Sequence, residues 1–210
     1  MDSYISDCDL TKALRDRAAS RNQIRKNSYV RQKCLPLAAA VKLLLLDVDG
    51  VLTDGSIIYS GQDNEVKSFH VRDGFGLSLL RKAGVEIGLI TARKSKLVQI
   101  RAEELGNKHV YQGRRDKMEV FRIIAEDLDL TPDQVAYMGD DWLDLPLLTL
   151  VGLSSAPADS VFEVLERVDY VSVFPGGKGA VREVCELILE ARGDYDSLLN
   201  HYLPSSDSDR

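Results

Sequence analysis

From residue 41 onward the chain alternates short apolar, β-rich runs with helical patterns, and this alternation restricts the fold more than any other feature. The runs are VKLLLL (41–46), VEIGLI (85–90), HVY (109–111), VAYM (135–138), VGL (151–153) and YVSV (170–173). Candidate helices lie between them, near 74–83, 94–105, 116–128, 142–149, 158–167 and 179–192. Repeated βα units of this length predict an α/β fold, a parallel sheet with helices on both faces. In such sheets ligands bind beyond the carboxyl ends of the strands.

One interruption breaks the alternation. After the first strand the chain runs through GSIIYSGQDNEVKSF (55–69), two alternating segments around a Gly61-Gln62-Asp63-Asn64 turn. This predicts a β-hairpin projecting from the catalytic edge. No other stretch is long enough for a separate cap domain. Residues 1–40 differ in character, with eight basic side chains against four acidic ones. They read as a basic, partly helical lead-in, or as a basic interaction arm. The expected organisation is therefore a lead-in (1–40), one catalytic domain (41–193) and a flexible tail (194–210).

Composition excludes several functions. A net charge of −6 gives no global attraction to nucleic acid or anionic lipid. The longest apolar stretch, 35–46, contains Pro36 and Lys42 and is far short of a membrane span. Cys8, Cys34 and Cys185 show no CxxC spacing, so neither a disulfide framework nor a zinc site is indicated and a cytoplasmic location is expected.

The stretch LLLLDVDGVLTD (43–54) ends a buried strand with two carboxylates, Asp47 and Asp49. Asp is depleted in strands and costly to bury unpaired, so a cation is the expected neutraliser. A calcium EF-hand loop numbered from Asp47 fails, because Val51, Leu52 and Ile58 stand where an oxygen ligand, Gly and Glu are required. A few carboxylates from different strand ends suit magnesium better. Thr91 follows VEIGLI, and Gly139-Asp140-Asp141 follows VAYM, with Asp144 one turn on. Singly, Thr91 and Asp140 also read as helix N-caps, Asp144 as a solvated helix residue and Lys117 as a solvated lysine. Together, at three strand ends of one sheet, the acidic and hydroxyl groups are hard to ascribe to capping.

This order, hDxDGhhTD, then hhTxR, then an isolated Lys opening a helix, then GDDxxD, resembles the haloacid dehalogenase superfamily of phosphatases. FHVRDGFGLSLL (69–80), LITARKSKLVQIRAEELG (89–106), YQGRRDK (111–117), QVAYMGDDWLDLPLL (134–148) and GGKGAVREVCELIL (176–189) extend the likeness. Together they resemble the family of 3-deoxy-D-manno-octulosonate 8-phosphate phosphatases, over residues 41–193. The resemblance implies a Rossmann-like sheet of the dehalogenase type and hydrolysis of that ester in lipopolysaccharide precursor synthesis. It implies Asp47 as nucleophile, giving an aspartyl-phosphate, and Asp49 as general acid and then base. It implies Mg2+ held by the Asp47 carboxylate, the Asp49 carbonyl and the Asp140 carboxylate, with Asp141 and Asp144 steadying them from behind. Thr91 and Lys117 would meet the phosphoryl group.

Phosphate roughly balances the charge of such a centre, so the carboxylate of a sugar acid calls for further cations. Arg93, two residues beyond Thr91, and Arg101, on the same helix, are the candidates. Arg101 alone also reads as an ion-pair partner of Glu103 or Glu104. The resemblance raises both to substrate contacts and assigns His70, Val71, Arg72, Asp73 and Gly74 to the substrate loop. Ser78 stands where family members often carry a basic residue, so either Arg81 substitutes from the next turn or the sugar-acid preference differs. Nine-carbon sugar-acid 9-phosphates and other sugar phosphates remain alternative substrates, and a catalytically silent oligomerisation module is the alternative of another class. Lacking a cap domain, the chain is expected to form a homotetramer. The resemblance implies that the hairpins assemble at the tetramer's centre and that the FPGGKG region (174–179) matches the family's segment that reaches a neighbouring site.

Overall fold

The computed structural model describes residues 7–26, 28–61 and 64–204. The chain divides into two compact units, residues 1–33 and 34–210. The first holds helix α1 (Asp7–Lys26) and the opening of α2 (Tyr29–Ala39). Of the expected basic lead-in, residues 7–26 and 29–39 are helical.

The second unit is the predicted alternation made concrete. Strands β1 (Leu43–Leu46), β4 (Glu86–Thr91), β5 (His109–Gln112), β6 (Val135–Met138), β7 (Leu153–Ala156) and β8 (Tyr170–Val171) form one sheet in the order β5-β4-β1-β6-β7-β8. All five pairings are parallel. The hairpin, β2 (Ile58–Ser60) and β3 (Asn64–Val66), is a separate antiparallel pair. Part of its expected turn, residues 62 and 63, lies outside the described residues. Among the described residues there is no cap domain.

Successive residues of a strand face opposite sides of a sheet, which explains why four leucines are needed in β1. Leu44 and Leu46 join Ile87, Leu89, Ala136 and Met138 in one core, and Leu43 and Leu45 join Ile90, Val135 and Tyr137 in another. Helices α3 (Val71–Lys82), α4 (Lys96–Glu104) and α8 (Ala180–Arg192) cover the first face. Helices α5 (Lys117–Asp127), α6 (Leu145–Leu148) and α7 (Phe162–Leu165) cover the second.

Several boundaries differ from expectation: the helices expected at 142–149 and 158–167 shorten to Leu145–Leu148 and Phe162–Leu165, and the strand expected at 170–173 shortens to Tyr170–Val171. The strand expected at 151–153 begins at Leu153 and continues through Ser154 and Ser155. Those serines tolerate burial because each is bonded: Ser154 Oγ donates to Asp169 Oδ2 at 2.7 Å and Ser155 Oγ to Tyr137 O at 3.2 Å. The expected tail carries a further helix, α9 (Tyr195–Asn200), before the described residues end.

Candidate active site

The carboxyl ends of the three central strands, β4, β1 and β6, meet at one point. Asp47 directly follows β1, its N–H continuing the ladder to Met138 O at 3.0 Å. Lys117 opens α5, whose N-cap is Asp116, accepting from Glu119 N at 3.1 Å. That cap fixes the start of the helix and so aims Lys117 inward. Its side chain is 3% exposed and its Nζ lies 3.1 Å from Asp47 Oδ1. The solvated-lysine reading fails.

Asp144 is fully buried and organises the floor of the site. Its Oδ2 accepts from the backbone N–H groups of Asp140 (3.0 Å) and Asp141 (3.1 Å). Its Oδ1 takes short contacts from Lys117 Nζ and the Tyr137 hydroxyl, and Tyr137 Oη lies 3.1 Å from Lys117 Nζ. Asp144 is therefore not a solvated helix residue. The cap alternatives fail too: Ser95, not Thr91, occupies the N-cap position of α4, and Asp141, not Asp140, caps the short 3-10 turn Trp142–Asp144.

Carboxylate oxygens of Asp47, Asp140 and Asp144 all lie within 4.8 Å of one another. Burial, opposed by Lys117 and reinforced by Asp144, pushes Asp47 up to about 6. Burial, with Asp47 and Asp144 beside it, pushes Asp140 up to about 8. Lys117 loses solvation, yet the Asp47 and Asp144 carboxylates outweigh that loss and hold it above its ordinary value. Among the described residues the nearest group to the buried Asp47 Oδ1 is Lys117 Nζ, at 3.1 Å as an ion pair, and no further donor satisfies this oxygen. Crowded carboxylates that resist ionisation, with one oxygen lacking a further donor, fit a divalent cation. The backbone is shaped to allow it. Gly50 has φ +88°, and a Cβ there would lie 2.0 Å from Asp140 Oδ2.

Asp49 stands beside this group. Its Oδ2 lies 3.5 Å from Thr91 Oγ1 and 3.9 Å from Arg93 Nε. Its Oδ1 is in short contact with Lys67 Nζ, from the end of the hairpin. Lys67 is also 3.3 Å from Glu65 Oε1, and Arg93 Nη2 donates to that same oxygen at 3.3 Å. Sequence reasoning missed Lys67, Glu65 and Tyr137. The signals were there: Glu65 and Lys67, two residues apart at the extended end of the hairpin, point the same way, and a Tyr inside a buried strand needs a partner for its hydroxyl.

The residues expected to form the substrate loop lie at the start of α3. His70 is the N-cap residue of α3, and Val71 and Arg72 are exposed in its first turn. Asp73 is buried, and its carboxylate accepts from Gly179 N (3.2 Å) and Arg182 N (2.7 Å), tying α3 to the start of α8. Gly74 leaves room for Arg101, whose Nη2 would lie 2.2 Å from a Cβ there. Arg101 Nη1 pairs with Glu104 at 3.0 Å, as the ion-pair reading expected. Arg81 does not replace the base absent at Ser78. Its guanidinium donates to Leu105 O at the end of α4, and Ser78 Oγ donates to Gly74 O at 3.1 Å.

The FPGGKG segment is not an open loop. Gly177 N donates to Val51 O at 2.9 Å, and a Cβ at Gly176 would lie 1.8 Å from Gly50 O. It packs on the loop after β1 of its own chain, with Lys178 exposed.

No protein-family model matches the sequence. A 3-deoxy-D-manno-octulosonate 8-phosphate phosphatase of Escherichia coli K12 is 46% identical over 159 residues, 76% of this chain and 85% of that protein. The chain belongs to the 3-deoxy-D-manno-octulosonate 8-phosphate phosphatase family. The crystal structure of the Yersinia pestis phosphatase superposes with a TM-score of 0.76 at 44% identity, covering 77% of this chain and 88% of that one. The Moraxella catarrhalis phosphatase, solved with magnesium, phosphate and the sugar acid, gives 0.80 at 37% identity, covering 81% and 98%. A Legionella pneumophila hydrolase of the haloacid dehalogenase superfamily gives 0.80 at 42% identity, covering 84% and 97%.

Proposed function

We propose that the chain is a magnesium-dependent phosphatase that hydrolyses 3-deoxy-D-manno-octulosonate 8-phosphate to the free sugar acid and phosphate. The product serves lipopolysaccharide precursor synthesis. The observation that carries this reading is the convergence of Asp47, Asp49, Thr91, Lys117 and Asp140 at adjacent strand ends, in a chain of this family. A silent oligomerisation module has no use for a lysine ammonium buried between Asp47 and Asp144.

Asp47 attacks phosphorus while Asp49 gives a proton to the departing sugar oxygen. Asp49 then takes a proton from the water that cleaves the Asp47 ester. Lys117 holds positive charge beside Asp47, and the Thr91 hydroxyl meets a phosphoryl oxygen. Asp47, Asp140 and the Asp49 carbonyl hold Mg2+, which supplies the charge that lets an anionic nucleophile approach a phosphate dianion. Asp144 and Asp141 steady those ligands.

The sugar end lies toward Arg93, Arg101, and the loop His70, Val71, Arg72, Asp73 and Gly74. Arg93 already faces one carboxylate, Glu65, in a geometry a sugar carboxylate could adopt. Nine-carbon sugar acids remain the competing substrate. A panel of phosphorylated sugar acids and hexose 6-phosphates, scored by phosphate release, tests the assignment, and equal turnover of all members would refute it.

The assembly we propose is a homotetramer joined through its hairpins, whose Ile57, Ile58, Tyr59 and Val66 are exposed. Because α8 fills the core, truncation at Val173 would unfold the chain. Light scattering of the intact protein is the appropriate test, and a fully active monomer would refute it. No helix among the described residues is long and apolar enough to cross a membrane. The unbridged cysteines support the cytoplasm as its location.

A further inference from the structure

Lys67 follows β3 directly, and its side chain is 1% exposed. Lysine is almost never so buried unless paired, and here the ammonium has two carboxylates. One is Asp49, through Oδ1, and the other is Glu65, at 3.3 Å. Nothing in a hairpin of this length requires a buried charge, and an outward lysine would serve solubility equally well. The consequence falls on Asp49, whose two oxygens are divided. Oδ1 is held by the hairpin, while Oδ2 faces Thr91 Oγ1 at 3.5 Å. Thr91 is the residue that marks where the phosphoryl group sits.

We propose that Lys67 is a positioning residue for Asp49, fixing its rotamer so that Oδ2 is the oxygen that exchanges protons with substrate and water. Glu65 holds the same ammonium, its Oε1 3.3 Å from Lys67 Nζ. The inference rests on the acid and base role given to Asp49 above. In the first step a bond forms from the Asp47 oxygen to phosphorus, the bond to the leaving oxygen breaks, and the proton on Asp49 Oδ2 passes to that oxygen. In the second, water attacks phosphorus, the Asp47 ester bond breaks, and a water proton returns to Oδ2. Lys67 keeps its proton throughout and touches neither the phosphoryl group nor the leaving group.

The test compares leaving groups. The quantity read is kcat/KM, which covers every step through formation of the phosphoenzyme. A sugar alkoxide needs the Asp49 proton to depart, and p-nitrophenolate does not. Lys67→Met is expected to lower kcat/KM by about 100-fold on the sugar-acid phosphate or a hexose 6-phosphate, and by no more than about threefold on p-nitrophenyl phosphate. In an Asp49→Asn background the same substitution should cost nothing further, because it acts through Asp49. Lys67→Arg, which keeps the charge, should recover at least about tenfold of the loss. Equal losses on both esters, a further loss in the Asp49→Asn background, or a raised KM at unchanged kcat would each overturn the assignment. Should the wild type hydrolyse hexose phosphates and not the sugar acid ester, the substrate assignment falls and the leaving-group comparison still decides the role of Lys67. A wild type inactive on every ester overturns both.

Discussion

Asp144→Asn should be among the most damaging single substitutions in the chain, although Asp144 is not assigned to the substrate. Four donors converge on its carboxylate: two backbone N–H groups at 3.0 and 3.1 Å, the Tyr137 hydroxyl and the Lys117 ammonium. An Asn oxygen can keep the two backbone donors, but its amide nitrogen then points donor to donor at Lys117, and the Tyr137 hydroxyl loses its acceptor. Lys117 is left buried with Asp47 alone. Breaking a buried ion pair by removing one partner costs about 3–5 kcal/mol. For a domain of this size each kcal/mol moves Tm by about 2–4 °C, so the expected fall is about 6–20 °C. Calorimetry of the metal-free protein reads this directly. Asp141→Asn, at an exposed neighbour, serves as the control and should stay within about 0.5 kcal/mol of wild type. A Tm for Asp144→Asn within about 2 °C of wild type would refute the account of how Lys117 is held.

Three further outcomes are expected. Asp47 and Asp140 titrate at about 6 and about 8 when folded, above their ordinary 3.8, so their contribution to stability is complete below that value and is lost as pH rises through 6 and then 8. The metal-free protein should therefore weaken across that window. Mg2+, which needs both groups ionised, should raise Tm more at pH 8 than at pH 6, and an equal shift at both would contradict the assignment of these ligands. Gly50→Ala, with its Cβ 2.0 Å from Asp140 Oδ2 and φ at +88°, should weaken Mg2+ binding measured by calorimetry by at least about tenfold, and unchanged affinity would remove Gly50 from the metal cradle. Arg93→Ala should lower kcat/KM for the sugar-acid phosphate by about 10–100-fold while changing that for a hexose 6-phosphate far less, and equal losses would remove Arg93 as the carboxylate partner.

The fold was legible where burial is symmetric. A run such as 43–46 must be covered on both faces, and six such runs separated by helical patterns leave few arrangements besides a doubly covered parallel sheet. Strand β7 was misplaced because Ser154 and Ser155 are buried through bonds to Asp169 and Tyr137, which periodicity does not reveal. At the site, Asp47, Thr91, Lys117 and Asp140 could be gathered from sequence because each marks the start or end of an element. Lys67 and Glu65 could not, since their roles depend on how far the hairpin folds back toward Asp49. Asp73 has a role that its place in the loop does not reveal: its carboxylate accepts from the N–H groups of Gly179 and Arg182, residues more than a hundred positions away.

The strand-end cluster is proposed to hydrolyse a phosphorylated sugar acid through Asp47. The most direct test is phosphate release from 3-deoxy-D-manno-octulosonate 8-phosphate by the purified full-length chain, with Mg2+ and with EDTA, for wild type and Asp47→Asn. The expected result is kcat/KM of at least about 10⁴ M⁻¹s⁻¹ with Mg2+, loss of turnover with EDTA, and a folded but inactive Asp47→Asn. Phosphate release no faster than in buffer, or an Asp47→Asn variant that retains a substantial share of wild-type turnover, would contradict it.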